Sequence, residues 1–127
     1  MGGLAGIHEI LGGLVVVAFI ITVILAAIAA AGRDVPWVRT VSLVAAGLLA
    51  LQYVVGVLLI AGGSRNSNEH YLIGLIVLVP VALQHSSARR LSSQTRGVAL
   101  LIWSLAAAIL AVIAYMAGMG GVGGAAS

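Results

Sequence analysis

Apolar residues run along this chain in four long blocks, separated by short polar breaks. The first block extends from about Leu4 to Ala31 and is broken by Gly32-Arg33-Asp34-Val35-Pro36. The second runs from about Trp37 to Ala61, and Gly62 to Glu69 forms a polar turn after it. The third covers His70 to about Ser86, with Pro80 inside it, where a helix loses one backbone hydrogen bond and kinks. Ser87 to Arg96 is a polar loop with three arginines, and the fourth block runs from about Gly97 to Ala117. The glycine-rich stretch from Gly118 to Ser127 is expected to fray. Each block is far longer than a barrel strand and lacks strict alternation, so all four read as helices. Loops this short require antiparallel neighbours. The pattern predicts an all-α, integral membrane, up-down-up-down four-helix bundle, a single transmembrane domain over residues 1–127.

Composition agrees with that pattern. The chain is 62% hydrophobic and 7% charged, where a soluble domain is near a quarter charged. Four spans of about 20 residues consume most of such a chain. The absence of cysteine excludes disulfides, thiolate chemistry and cysteine-held zinc or iron–sulfur sites. The net charge of +3 does not point to nucleic acid, because the arginines lie between apolar blocks and form no patch interleaved with aromatics. Met1 to Glu9 has no lysine or arginine to form a basic n-region, so the first block reads as a span rather than a leader, and Gly6 breaks the myristoylation pattern.

Arginine placement predicts orientation. Arg33, Arg39, Arg89, Arg90 and Arg96 fall on one side and only Arg65 on the other. The arginine-rich side is expected inside, with both termini outside, in a bacterial or archaeal inner membrane.

Candidate chemistry rests on histidine. His8 opens the first span and His70 the third, both at the outer end on parallel helices. An ionisable group in a span calls for a function. Two imidazoles across a bundle can be the axial ligands of one haem iron; capping and interfacial hydrogen bonding at helix starts is the competing account of them. Gly12 and Gly74 each follow a histidine by one helical turn on the same face, leaving room for the edge of a macrocycle; tight helix packing is the competing account of them. Arg65, with Ser64, Asn66 and Asn68, is placed to meet propionates. Glu9 and Glu69 adjoin the histidines but point about 100° away from them, which disfavours a bare two-histidine, two-carboxylate metal site. Either acid suits a helix N-terminus, and Glu69 could cap one. His85 lies about 22 Å further along the third helix, with an interfacial role or a quinone or headgroup contact. Gln52 is the other polar residue within a span, set to bond a neighbouring helix or a cofactor edge.

The segments His8-Glu9-Ile10-Leu11-Gly12 and His70-Tyr71-Leu72-Ile73-Gly74 share a pattern, and Gly62-Gly63 and Gly120-Gly121 close the partner spans. Those matches leave open a duplicated helical hairpin.

The stretch Leu51-Gln52-Tyr53-Val54-Val55-Gly56-Val57-Leu58-Leu59, a polar turn and then His70 resembles a four-helix half of the heme A synthases. The likeness covers roughly Leu48 to Leu83, and His8 more loosely. It implies His8 and His70 as haem ligands, with Gln52 and Gly56 as helix-wall residues. In the family's active half a glutamate stands three residues before a ligand histidine; here those positions hold Ala5 and Ser67, and the chain is half length. The resemblance therefore implies a minimal haem-holding bundle, with a half-length enzyme as the alternative. Together these readings predict a b-type electron-transfer cytochrome carrying one haem b, with the lipid bilayer as its surroundings. A quinol, a second copy or a larger redox complex would be its partner. The competing class is an accessory structural subunit of a respiratory or photosynthetic complex.

Overall fold

A computed structural model describes residues 2–87 and 93–123. Four helices follow one another: α1 (Gly2–Ala30), α2 (Val38–Ala61), α3 (Asn68–Ser87) and α4 (Ser93–Gly123). The expected all-α bundle is what forms. α1 and α2 each stop on a glycine in the left-handed region, Gly32 (φ 87°) and Gly63 (φ 88°). In both turns the glycine N–H bonds back three residues and the next N–H bonds back five, which satisfies the last carbonyls of each helix. The α4 helix continues to Gly123, through the first of the glycines expected to fray, and its last turns are held by a neighbour: the Gly118 carbonyl accepts a bond from Asn66 Nδ2 at 3.3 Å. Arg89, Arg90 and the last four residues lie outside the described residues.

Three helices, α1, α2 and α4, are long and apolar enough to cross a membrane. Their outward faces carry Ile10, Val17, Ile24, Val44, Val57, Ile102 and Ile109, all exposed, as expected where the surrounding medium is hydrocarbon. α3 runs alongside them with a shorter apolar stretch. Asn68, Glu69 and His70 open it and Gln84, His85 and Ser86 close it, leaving Tyr71 to Leu83 to cover only about 20 Å. The chain is a transmembrane four-helix bundle in which the third helix is polar at both ends.

α1 packs against α2 and α4, and α3 against α4. Small residues permit the approach of α1 and α4. A Cβ on Gly97 would lie 3.0 Å from the Ala29 carbonyl carbon and the Ala30 nitrogen, and one on Gly12 would lie 3.0 Å from the Tyr115 ring. Those two contacts sit at opposite ends of both helices, which makes the pair antiparallel. The side between α2 and α3 is the loose one. There the Tyr53 hydroxyl donates to the Gly74 carbonyl.

The core resolves the question of duplication. Buried positions recur at a constant offset of 62: Val15 with Val77, Phe19 with Val81, Ala45 with Ala107, and Leu49 with Ala111. The same offset relates His8 to His70, Gly12 to Gly74, Tyr53 to Tyr115 and Gly56 to Gly118. Contacts repeat as well as residues, since Tyr115 lies on Gly12 as Tyr53 reaches Gly74. The bundle is thus two structurally equivalent hairpins, α1–α2 and α3–α4. At this offset Gly56 matches Gly118, and the pairing of Gly62-Gly63 with Gly120-Gly121 that the sequence suggested does not fall on the register. The interior contact sets this register, whereas Gly62 and Gly63 belong to a turn.

Candidate functional site: a paired-histidine layer at one end of the bundle

His8 and His70 meet. Their ring centroids are 6.0 Å apart and the planes cross at 76°. Each ring lies on a glycine of its own hairpin partner. A Cβ on Gly56 would approach His8 Cε1 to 3.2 Å, and one on Gly118 would approach His70 Nδ1 to 3.0 Å. The missing side chains of α2 and α4 are therefore what admits the imidazoles to the interior.

The two imidazoles are held differently. His70 Nδ1–H donates to the Ala114 carbonyl at 2.8 Å. That bond sets the tautomer and leaves Nε2 with its lone pair, the arrangement common among metal-binding histidines. His8 Nε2 lies 3.3 Å from Gln52 Nε2 and accepts from that amide. A neutral His8 accepting there carries its proton on Nδ1, which is buried without a partner, as is Gln52 Oε1. Gln52 and Ala114 are themselves equivalent at the offset of 62, so each hairpin offers its histidine one group from the same place, once a side chain and once a backbone carbonyl.

The loop between α2 and α3 secures this end. The Ser67 hydroxyl accepts from the His70 N–H at 3.2 Å and is the N-cap of α3. Glu69 is exposed, so the cap is Ser67 and not the glutamate the sequence suggested. Asn66 accepts the Ser67 N–H, donates its backbone N–H to the Tyr71 hydroxyl at 2.7 Å, and bonds α4 at Gly118. Sequence reasoning assigned Asn66 only a propionate contact and Tyr71 no role, because the spacing between them carries no recognisable motif. Ser67→Ala is expected to lower stability by about 1 kcal/mol, measured as a shift in thermal unfolding of the detergent-solubilised chain.

Other expected site residues divide. Gln52 and Gly56 both touch His8. Gly74 opens on space, with nothing within 4 Å of an added Cβ, and adjoins the loose α2–α3 side. Gly12 does not leave a gap, because the Tyr115 ring and the Gln52 amide fill it. Its expected role as room for a macrocycle edge is corrected to helix packing. Arg65 and Glu9 are exposed at the same end of the bundle as the histidine pair. His85 lies at the far end of α3, its Nδ1–H donating to Val81 O at 2.9 Å. Among the described residues no group of three or more histidine, cysteine, aspartate or glutamate side chains gathers to hold a metal ion. The layer is a two-imidazole site with amide and phenol neighbours. No family model, curated protein or solved structure matches the chain.

Proposed function

We propose that the chain is a membrane-embedded electron-transfer protein that binds one haem b between His8 and His70. The meeting of those two rings carries the reading. Two imidazoles brought together across a bundle would be the residues that hold a haem iron. The observed separation is 6.0 Å. His70 Nε2 keeps its lone pair, whereas His8 Nε2 accepts from Gln52, so a metal would take the place of that amide at His8, whose Nδ1 is buried without a partner. The open space at Gly74 and the loose α2–α3 side supply the wall that can yield to a flat ligand.

Held by His8 and His70, a haem would supply one-electron redox chemistry. His70 is the firmly oriented ligand, fixed by the Ala114 carbonyl and by the capped start of α3. Gln52 orients His8. Arg65 stands at the same end as a counter-charge for propionates. The arginine-rich end is assigned to the inside of a bacterial or archaeal membrane, with the histidine layer and both termini outside. A quinol or a larger redox complex is the partner class that suits a site at that depth.

Titrating the purified chain with haemin in mild detergent tests the proposal. One equivalent is expected to bind and to give a reduced-minus-oxidised spectrum of the low-spin b type. A chain that stays colourless at excess haemin would leave the accessory-subunit class standing instead.

A further inference from the structure

The fully buried polar side chains among the described residues are Thr22, Ser42, Gln84 and Ser104, at 0%, 3%, 1% and 0% exposure. They come one from each helix. Each lies fourteen positions along its own helix from a member of the outer layer: Thr22 from His8, Ser42 from Gly56, Gln84 from His70, and Ser104 from Gly118. Fourteen residues are four turns at the 3.5-residue period of packed bundles, so the four return to the interior face about 21 Å deeper. They also pair across the duplication, Thr22 with Gln84 and Ser42 with Ser104. The bundle therefore has a second polar layer near its arginine-rich end. Between the two layers the core is apolar, with Val15, Phe19, Leu49 and Val77.

The hydrogen-bond inventory of this layer is unbalanced. Thr22 donates its hydroxyl to Ala18 O at 2.8 Å, Ser42 to Arg39 O at 2.9 Å, and Ser104 to Leu101 O at 3.2 Å. Each hydroxyl proton is used within its own helix, and each oxygen keeps capacity to accept. Both amide atoms of Gln84 are buried with no partner. One residue on, His85 gives its Nδ1–H to Val81 O, and its Nε2 is a buried acceptor without a partner. The layer thus offers several acceptors and one unused amide donor. A dry amide at this depth would be strongly disfavoured.

We infer that this layer is a second binding site, which holds ordered water on the bundle interior beneath the histidine pair. Water donates to the acceptor-rich set and accepts from the Gln84 amide, and two to four polar partners are what a buried water needs. A cation is the poorer guest, because no carboxylate shares the layer and Arg33 and Arg39 flank this end. A guest with a lipid tail would require an opening to the bilayer, whereas Gln84 is sealed. The inference does not depend on haem binding.

The test is cross-relaxation between water and the side-chain amide of Gln84, in the isotopically labelled full chain in lipid nanodiscs. Cross-peaks from the Gln84 Nε2 protons to water are expected, with none from the backbone amides of Val15 and Phe19. Their absence at an assigned Gln84 would overturn the inference. So would a shift of the Gln84 resonances with added NaCl or KCl that choline chloride does not reproduce, since that assigns the site to a cation. Gln84→Leu supplies an independent measure. A hydrated amide predicts a lower unfolding midpoint, by several degrees, because the water loses its main partner. A raised midpoint would mean that the layer is dry.

Discussion

Replacing His70 by alanine is expected to abolish stoichiometric haem binding while the helical content of the chain stays unchanged. The imidazole sits at the third position of a capped helix, its Nδ1–H bonded to Ala114 O, so its Nε2 is presented in one orientation. Among the described residues no other histidine lies close enough to replace it, because His85 is about 22 Å away along α3. His8→Ala is expected to weaken haem binding by more than about tenfold and to convert any residual complex to a five-coordinate, high-spin spectrum, since loss of even a supporting group commonly costs 10–100-fold. His85→Ala should leave the spectrum intact. Absorption spectra of the three variants, beside far-UV circular dichroism to confirm folding, decide the matter. Retention of the low-spin spectrum in both His8→Ala and His70→Ala would refute the paired-ligand reading.

The largest effect on stability is expected at Gly97. Its α-carbon faces the backbone of α1, and an added methyl would sit 3.0 Å from Ala29 C and Ala30 N. Backbone atoms cannot rotate aside as a side chain can, so Gly97→Ala must separate α1 from α4, the closest helix pair in the bundle. Overpacking of this kind costs about 1–3 kcal/mol, and Gly97→Val should cost more. Gly74→Ala provides the contrast. An added methyl there meets nothing within 4 Å, and alanine exceeds glycine in helix preference by about 1 kcal/mol. Its stability should be unchanged or higher. Unfolding midpoints of the two variants in the same detergent test the comparison, and equal losses would show that the α1–α4 approach is not the limiting contact.

Much of the outer site was legible because its residues are chemically distinctive. His8, His70 and Gln52 stand out in apolar helices, and they do come together. The glycines were less legible, because a glycine in a membrane helix serves a ring, a backbone or nothing, and spacing does not tell which. Gly12 follows His8 by one turn, yet it receives Tyr115 from α4. Gly118 was assigned to a frayed tail, yet it supports His70. The duplication stayed ambiguous for a related reason. Phe19 with Val81, or Leu49 with Ala111, are equivalent in position but not in side chain, and among so many apolar residues only the shared burial reveals the register.

The inner polar layer shows the same limit. Thr22, Ser42 and Ser104 are ordinary in sequence, since a membrane helix satisfies a hydroxyl by bonding it to its own backbone. Their shared depth with Gln84 is visible only when the four helices are aligned.

Sequence alone determined the four helices, their alternating direction and their residence in a membrane. In hydrocarbon each backbone group must bond within its own segment, so the length of an apolar run dictates the element, and short connections dictate the antiparallel order. Tertiary structure alone decided which faces meet, why α1 closes on α4 while α2 stands off from α3, and which buried groups share a layer. Helices apolar on every side present many faces of nearly equal solvation energy, and the choice among them falls to the fit of particular side chains against particular glycines.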